Sequence, residues 1–300
     1  QMDLWKFSAG ELLDGYARGS ISPVEAMRST LERAATVNPK INAFFEIRAE
    51  QALQVAHASE ARWRRGAPLG ALDGVPLSIK DSVAAEGWPY WRGTKARVGT
   101  VSTYDSPPAA RLKEAGAIIF AKTTMPDFGL LPSGISSAHG VTRNPWNLEM
   151  NTGGSSSGAA ASVAAGAGSM SIGTDLGGSV RLPAAHCGLF AHKPTSGLVP
   201  HIPVSTARVA GPLARTVADA ALMLSVISQP DRRTQEPAGP TAPELEPLHP
   251  AGLRIGLLLD MGCGPQVEPE TAHLVEAAAR LLEAQGASLH VVARPLDFEI

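Results

Sequence analysis

The fold is decided between Gly74 and Ala121. There the chain reads Gly74-Val-Pro-Leu-Ser-Ile-Lys80, then Pro107-Pro-Ala-Ala-Arg-Leu-Lys-Glu-Ala115, then Ala117-Ile-Ile-Phe-Ala121. The first and last are short apolar runs with β-branched residues, and the middle one opens on proline, which suits the first turn of a helix. Strand, helix and strand in that order make a parallel pair joined by a right-handed crossover. Ser169–Gly173 supplies another strand after the Ala-rich helix Gly158–Ala167, and Leu253–Leu259, Glu270–Gln285 and Ala287–Val292 repeat strand, helix, strand. The class is α/β.

Upstream, Ser8 with Glu11 and Ser22 with Glu25 each place a serine three residues before a glutamate, the pattern that caps a helix N-terminus. Between Glu46 and Arg65, Ala49, Ala52, Leu53, Ala56 and Trp63 recur at helical steps, with the small Ser59 filling a gap in the stripe. Residues 1–70 are therefore expected to wrap a core spanning 71–228, and the six prolines of 229–250 to form a loop before 251–300. That loop divides two domains or interrupts one. The expectation adopted is a single domain over 1–300, because α/β enzymes accommodate long insertions.

Composition excludes several classes of function. Lys and Arg number 26 against 28 Asp and Glu, without the basic stretch that a nucleic-acid surface needs. The apolar-looking stretch 158–168 is Ala and Gly and too short to span a bilayer, so no membrane role is expected. Gln1 ahead of Met2 reads as a cloning remnant, and Leu4–Phe7 turns polar too soon for a signal peptide. Two distant cysteines, Cys187 and Cys263, make no disulfide framework, so the cytoplasm is the expected compartment. Glycine and proline make up 54 of 300 residues, an excess to be explained by linkers or by special backbone positions.

Two glycine-rich clusters claim those positions. Gly153-Gly-Ser-Ser-Ser-Gly158 runs straight into a helix almost without side-chain bulk, which fits close packing better than a linker. Gly173-Thr-Asp-Leu-Gly-Gly-Ser179-Val-Arg-Leu-Pro183 leaves backbone N–H groups unobstructed beside a serine, as an oxyanion site requires, although taken alone these residues read more readily as an ordinary strand-to-helix turn with Ser179 as N-cap. A serine nucleophile needs a base, and none of the eight histidines lies in either cluster. Lys80, one of seven lysines, ends an apolar run.

Together, Lys80 after Gly-Val-Pro, Gly-Gly-Ser155-Ser-Ser-Gly and Gly-Thr-Asp-Leu-Gly-Gly-Ser179-Val-Arg resemble the amidase signature family of Ser–Ser–Lys amide hydrolases. The likeness continues through Lys193–Gly197 and Gly211–Asp219. It implies a central mixed, largely parallel twisted sheet with helices on both faces, and hydrolysis of a small-molecule amide through an acyl-enzyme without cofactor or metal. By this resemblance Ser179 is the nucleophile, Ser155 follows a cis peptide bond and relays the proton, and Lys80 is the neutral base with Asp81 turned away. A lysine lowered from about 10.4 to about 7–8 costs on the order of 4 kcal/mol, which burial can supply. Leu176, Gly177 and Gly178 resemble the oxyanion hole, with the Ser179 N–H beside them. Ser156, Thr174, Asp175 and Arg181 resemble supports of the two loops.

For the substrate pocket, Trp88 and Trp91, with Tyr90 between, are expected as an aromatic wall, and Met125 and Phe128 from the segment Met125–Ser137 as further lining. Gly154–Gly158 also fits the G-x-S-x-G elbow centred on Ser156, but lacks the buried strand before it, and no lysine follows a serine by three residues. His186, Cys187 and His192 are too few for a metal site. Within the family the alternative is the A-type glutaminase component of the glutamyl-tRNA amidotransferase, from whose pattern Leu182 and Ser196 depart. Family members continue well past the point that Ile300 represents, so a non-catalytic, truncated amidase-like protein is the other alternative. A homodimer is left open.

Overall fold

A computed structural model describes residues 3–234, 248–260 and 266–292. Cys263 and the centre of the proline-rich stretch, 235–247, lie outside them. The chain divides into two compact units, Gln1–Pro243 and Glu244–Ile300.

In the first unit the elements run α1 (Ala9–Arg18), α2 (Pro23–Ile41), β1 (Phe44–Ile47), α3 (Ala49–Arg64), β2 (Pro76–Lys80), α4 (Pro107–Glu114) and β3 (Ile118–Thr123). There follow β4 (Ile135–Ser136), β5 (Gly140–Val141), α5 (Ser157–Ala164), β6 (Met170–Asp175), α6 (Arg181–His186), β7 (Phe190–Ala191), β8 (Val209–Ala214) and α7 (Val217–Ile227). Both expected capping boxes form: Ser8 and Ser22 accept from the N–H of Glu11 and Glu25, whose carboxylates bond back.

Six strands make one sheet in the order β1-β3-β2-β6-β8-β7. The centre, β3-β2-β6, is parallel, and β1, β8 and β7 join antiparallel. Strand side chains alternate between faces, so two cores arise. Leu77 and Ile79 pack with Ala9, Leu112 and Met223 on one face, whereas Ile118 and Phe120 pack with Met27, Ala52 and Ala161 on the other. Helices α1, α4 and α7 thus cover the first face and α2, α3 and α5 the second.

Two readings of the sequence need correction. The helix expected over 46–65 starts at Ala49, because Phe44–Ile47 is aromatic and β-branched and pairs with β3. Val209–Ala214, not expected as a strand, is a fully buried one. Pro212 within it argues against a central strand, yet it lies opposite Ile172 in the antiparallel ladder to β6.

The bulk-free α5 lies hard against the sheet. A Cβ on Gly158 would stand 2.3 Å from the Ala43 carbonyl oxygen, and one on Gly173 of β6 2.6 Å from Ser156 Oγ. Glycine at these positions lets the serine-rich loop before α5 settle onto the carboxyl ends of β2 and β6.

In the second unit β9 (Arg254–Leu257), α8 (Pro269–Ala284) and β10 (Ser288–Val291) form a parallel strand pair with a connecting helix, as expected. Among the described residues no helix is long and apolar enough to cross a membrane.

Candidate active site

Lys80 is the last residue of β2 and is completely buried. Its Nζ lies 2.8 Å from Ser155 Oγ, 2.9 Å from Ser156 Oγ and 3.3 Å from the Thr174 carbonyl oxygen. Burial pushes its pKa down to about 7, the nearby Arg208 charge adds to the fall, and Asp175 and Asp81 oppose it. Asp81 is occupied elsewhere, accepting at 2.8 Å from the N–H of both Trp91 and Gly93 and at 3.2 Å from His139 Nε2.

Ser155 and Ser156 come from the loop that opens α5, and the Gly154–Ser155 peptide bond is cis. Ser156 Oγ also bonds the Thr174 carbonyl at 3.3 Å, and Thr174 Oγ1 pairs with Ser82 Oγ at 3.1 Å. Lys80, Ser156, Thr174 and Ser82 therefore form one hydrogen-bonded group at the strand ends.

Ser179 lies between β6 and α6 in a turn organised by the buried Asp175. That carboxylate accepts from Gly178 N–H at 2.8 Å, Val180 N–H at 3.0 Å, and Arg181 Nη2 and Nε at 2.9 and 3.0 Å. Burial alone would raise its pKa, but these donors outweigh burial and hold it well below the usual carboxylate range. Of the four N–H groups expected to line an oxyanion hole, the one on Gly178 is thus engaged by Asp175. Those of Leu176, Gly177 and Ser179 make no hydrogen bond among the described residues. A bond of 3.1 Å from Ser156 N–H to the Ser179 carbonyl ties the two serine loops together. No hydrogen bond joins the Ser155 and Ser179 hydroxyls among the described residues.

Ser155 and Ser179 open on one cavity of about 560 Å³, which Met125, Phe128, Leu131, Leu176, Gly177 and Leu182 also line. Trp88 and Trp91 do not line it. Trp88, only 2% exposed, belongs to the core under the Arg48 guanidinium, and Trp91 packs against Phe45 and His139. Their proximity to Lys80 in sequence misleads, because the chain turns after β2 and carries both rings off the strand end.

Arg92 and Arg208 line the cavity and were not expected there. Neither stands in a motif, and only the fold brings loops so distant in sequence to one wall. Lys122, completely buried on β3, was also missed. The signal for it was present, since it follows the apolar run 117–121 just as Lys80 follows its own. Cys187 is a buried free thiol near the Thr152 carbonyl, and burial raises its pKa to about 12. The described residues contain no group of three or more His, Cys, Asp or Glu able to hold a metal.

The family model described as Amidase matches residues 25–297. The A component of a glutamyl-tRNA(Gln) amidotransferase, from Symbiobacterium thermophilum, is 40% identical over 297 residues, covering 96% of this chain and 60% of that protein. An indoleacetamide hydrolase from Bradyrhizobium diazoefficiens is 37% identical over 297 residues, covering 94% of this chain and 55% of its own length. Among solved structures, a bacterial aryl acylamidase of the amidase signature family superimposes with a TM-score of 0.88 at 33% identity, over 95% of this chain and 61% of that one. The chain therefore spans about 60% of the length of such relatives.

Proposed function

This chain belongs to the Amidase family, and from that premise we propose that it hydrolyses carboxylic amides through Ser179, Ser155 and Lys80. The observation that carries the reading is the buried Lys80 Nζ at 2.8 Å from Ser155 Oγ, beside a cavity that Ser155 and Ser179 share. A lysine at about 7 is substantially neutral at physiological pH and can accept a proton. Ser179 Oγ turns toward Ser155 and attacks the amide carbonyl carbon. Its proton passes to Ser155 Oγ as the proton of Ser155 passes to Lys80 Nζ. The tetrahedral oxyanion is held by the N–H groups of Leu176, Gly177 and Ser179, with Gly178 shaping the turn; one such donor is typically worth about 3–4 kcal/mol.

Collapse of the intermediate breaks the C–N bond, and the Lys80 proton returns through Ser155 to the leaving nitrogen, which departs as ammonia or amine. Water then attacks the Ser179 ester by the same relay, releasing the acid and restoring the hydroxyl. Ser156 and Thr174 hold Nζ in place, and Asp175 with Arg181 holds the Ser179 turn. The cytoplasm is the expected setting.

A Ser179→Ala variant is expected to keep the wild-type melting temperature and to lose turnover of simple aryl and aliphatic amides. A sulfonyl fluoride should label Ser179 in the wild type by peptide mass mapping. Full turnover by the variant, or labelling elsewhere with activity lost, overturns the assignment.

A second reading is favoured by the 40% identity to the A component of an amidotransferase. In it the same residues release ammonia from glutamine for a partner protein. Against it stands Leu182, an apolar side chain in the cavity wall. Ammonia release from glutamine, measured beside a panel of neutral amides, separates the two.

A further inference from the structure

The cavity beside Ser179 holds two cations to which the proposed hydrolysis assigns no bond-making or proton-transfer step. Arg92 lies in the loop after β2 and Arg208 immediately ahead of β8, and both line the cavity with Ser155 and Ser179. Each Nε is buried without a hydrogen-bond partner. The Arg92 guanidinium stands 5.7 Å from the centre of the Phe128 ring. Arg208 has one long contact, from Nη2 to the Pro203 carbonyl at 3.5 Å, at the outer limit for a hydrogen bond.

Arg181, only two residues past Ser179, shows the contrast, because Asp175 accepts from two of its nitrogens. Among the described residues no carboxylate lies within ion-pair distance of Arg92 or Arg208, and none lines the cavity. Burial lowers the pKa of Arg208, the Arg92 charge adds to this, and Tyr90 and Tyr104 oppose it. Two like charges in a half-closed, largely apolar cleft favour whatever anion enters it. The rest of the wall combines the side chains of Met125, Phe128 and Leu182 with hydroxyls, among them those of Ser82 and Ser205. Two oxygens on one plane match a guanidinium fork.

We propose that Arg92 and Arg208 bind a carboxylate on the substrate, so that this site takes amides carrying a carboxylate across a short apolar spacer from the scissile bond. The proposal rests on the amide-hydrolase reading and specifies its substrate class.

The test compares glutaramic acid with pentanamide, an uncharged amide of similar length, on the full-length protein at a pH well above neutral, where Lys80 is neutral in every variant. The wild type is expected to favour the carboxylate amide in kcat/KM by roughly 10–100-fold. Arg92→Gln and Arg208→Gln should each reduce that ratio by about tenfold, and the double variant should abolish it. A wild-type ratio of one or less overturns the proposal, as does a ratio that survives in the double variant. If neither amide is turned over, the hydrolase reading fails and the arginine pair is judged by calorimetric titration with glutarate. Weaker binding to the folded double variant then supports the pair, and equal binding overturns it. Propylphosphonate binding more tightly than glutarate would also overturn the assignment to a carboxylate.

Discussion

Lys80 and Lys122 stand on neighbouring parallel strands, both completely buried, and they meet opposite surroundings. In the β2–β3 register Lys80 lies opposite Thr123 and Lys122 opposite Ile79, so the two side chains leave the sheet on different faces. Lys122 Nζ is caged by carbonyls, those of Val83 at 2.6 Å and of Lys80 and Asp81 at 3.2 Å each. Lys80 Nζ meets two serine hydroxyls and one carbonyl. Carbonyls only accept, so the cage around Lys122 suits an ammonium and gives it nowhere to send a proton. Hydroxyls both accept and donate, so the surroundings of Lys80 suit either protonation state and can pass a proton on. Burial lowers both lysines, Lys80 to about 7 and Lys122 to about 8, with Asp81 opposing the fall for Lys122. Depth alone therefore does not make a lysine a base; the chemistry of its neighbours does.

Replacing each lysine by methionine, which keeps most of the volume, should split activity from stability. Lys80→Met is expected to lower kcat/KM on simple amides by roughly 10²–10⁴-fold, the usual contribution of a general base, with little change in melting temperature. Lys122→Met should act the other way. It leaves the buried carbonyls of Asp81 and Val83 without this donor, a loss of about 3 kcal/mol. For a domain of this size that is roughly 6–12 °C in Tm. Equal effects of the two variants on both readouts would dissolve the distinction.

The next prediction concerns pH and is smaller. In the proposed reaction Lys80 acts as a neutral base, a form present above the folded pKa, so kcat/KM should fall about tenfold per unit as pH drops below about 7. The sign for stability follows from the same shift. An unfolded lysine holds its proton up to about 10.4, whereas Lys80 releases it near 7 in the folded state. Across that window the unfolded chain binds more protons, and stability rises with pH. Lys80→Met should flatten part of that rise. An acidic limb that stays in place when ester substrates replace amides would agree with Lys80 as its source, and a limb near the carboxylate range would exclude it.

How much of this could be read from the sequence follows the same division between local and distant. The strands and helices around Lys80 are legible because apolar runs, prolines at helix starts and Ser-x-x-Glu boxes are local signals. Of the candidate site, Ser155 and Ser179 are legible because each stands beside glycines that a tight approach requires, and Lys80 because it ends the apolar run after Gly74-Val-Pro. Val209–Ala214 is not legible, since Gly211 and Pro212 contradict a strand locally and only pairing with β6 overrides them. Arg92 and Arg208 are invisible for a related reason: 116 residues separate them, and the aromatic residues beside Arg92 draw the reading to their rings rather than to the guanidinium. The aromatic wall expected from Trp88 and Trp91 fails because sequence proximity to Lys80 says nothing of which way the chain turns after β2.

The finest probe of the contrast is Ser156→Ala, which takes one hydroxyl from around Lys80 and makes its shell more nearly carbonyl-only, as around Lys122. Ser156 Oγ accepts from Nζ at 2.9 Å and donates to the Thr174 carbonyl at 3.3 Å, and it makes no contact of its own with Ser179 through that hydroxyl. Losing an acceptor costs the ammonium more than the neutral amine, because the charged form makes the stronger hydrogen bonds. The acidic limb of kcat/KM is therefore expected to move to lower pH, by less than about one unit, while the plateau falls only a few-fold. Ser155 remains at 2.8 Å from Nζ to carry the proton. A limb that moves upward, or a plateau that collapses as far as in Lys80→Met, would mean that Ser156 rather than Ser155 is the relay, and the roles of the two neighbouring serines would have to be exchanged.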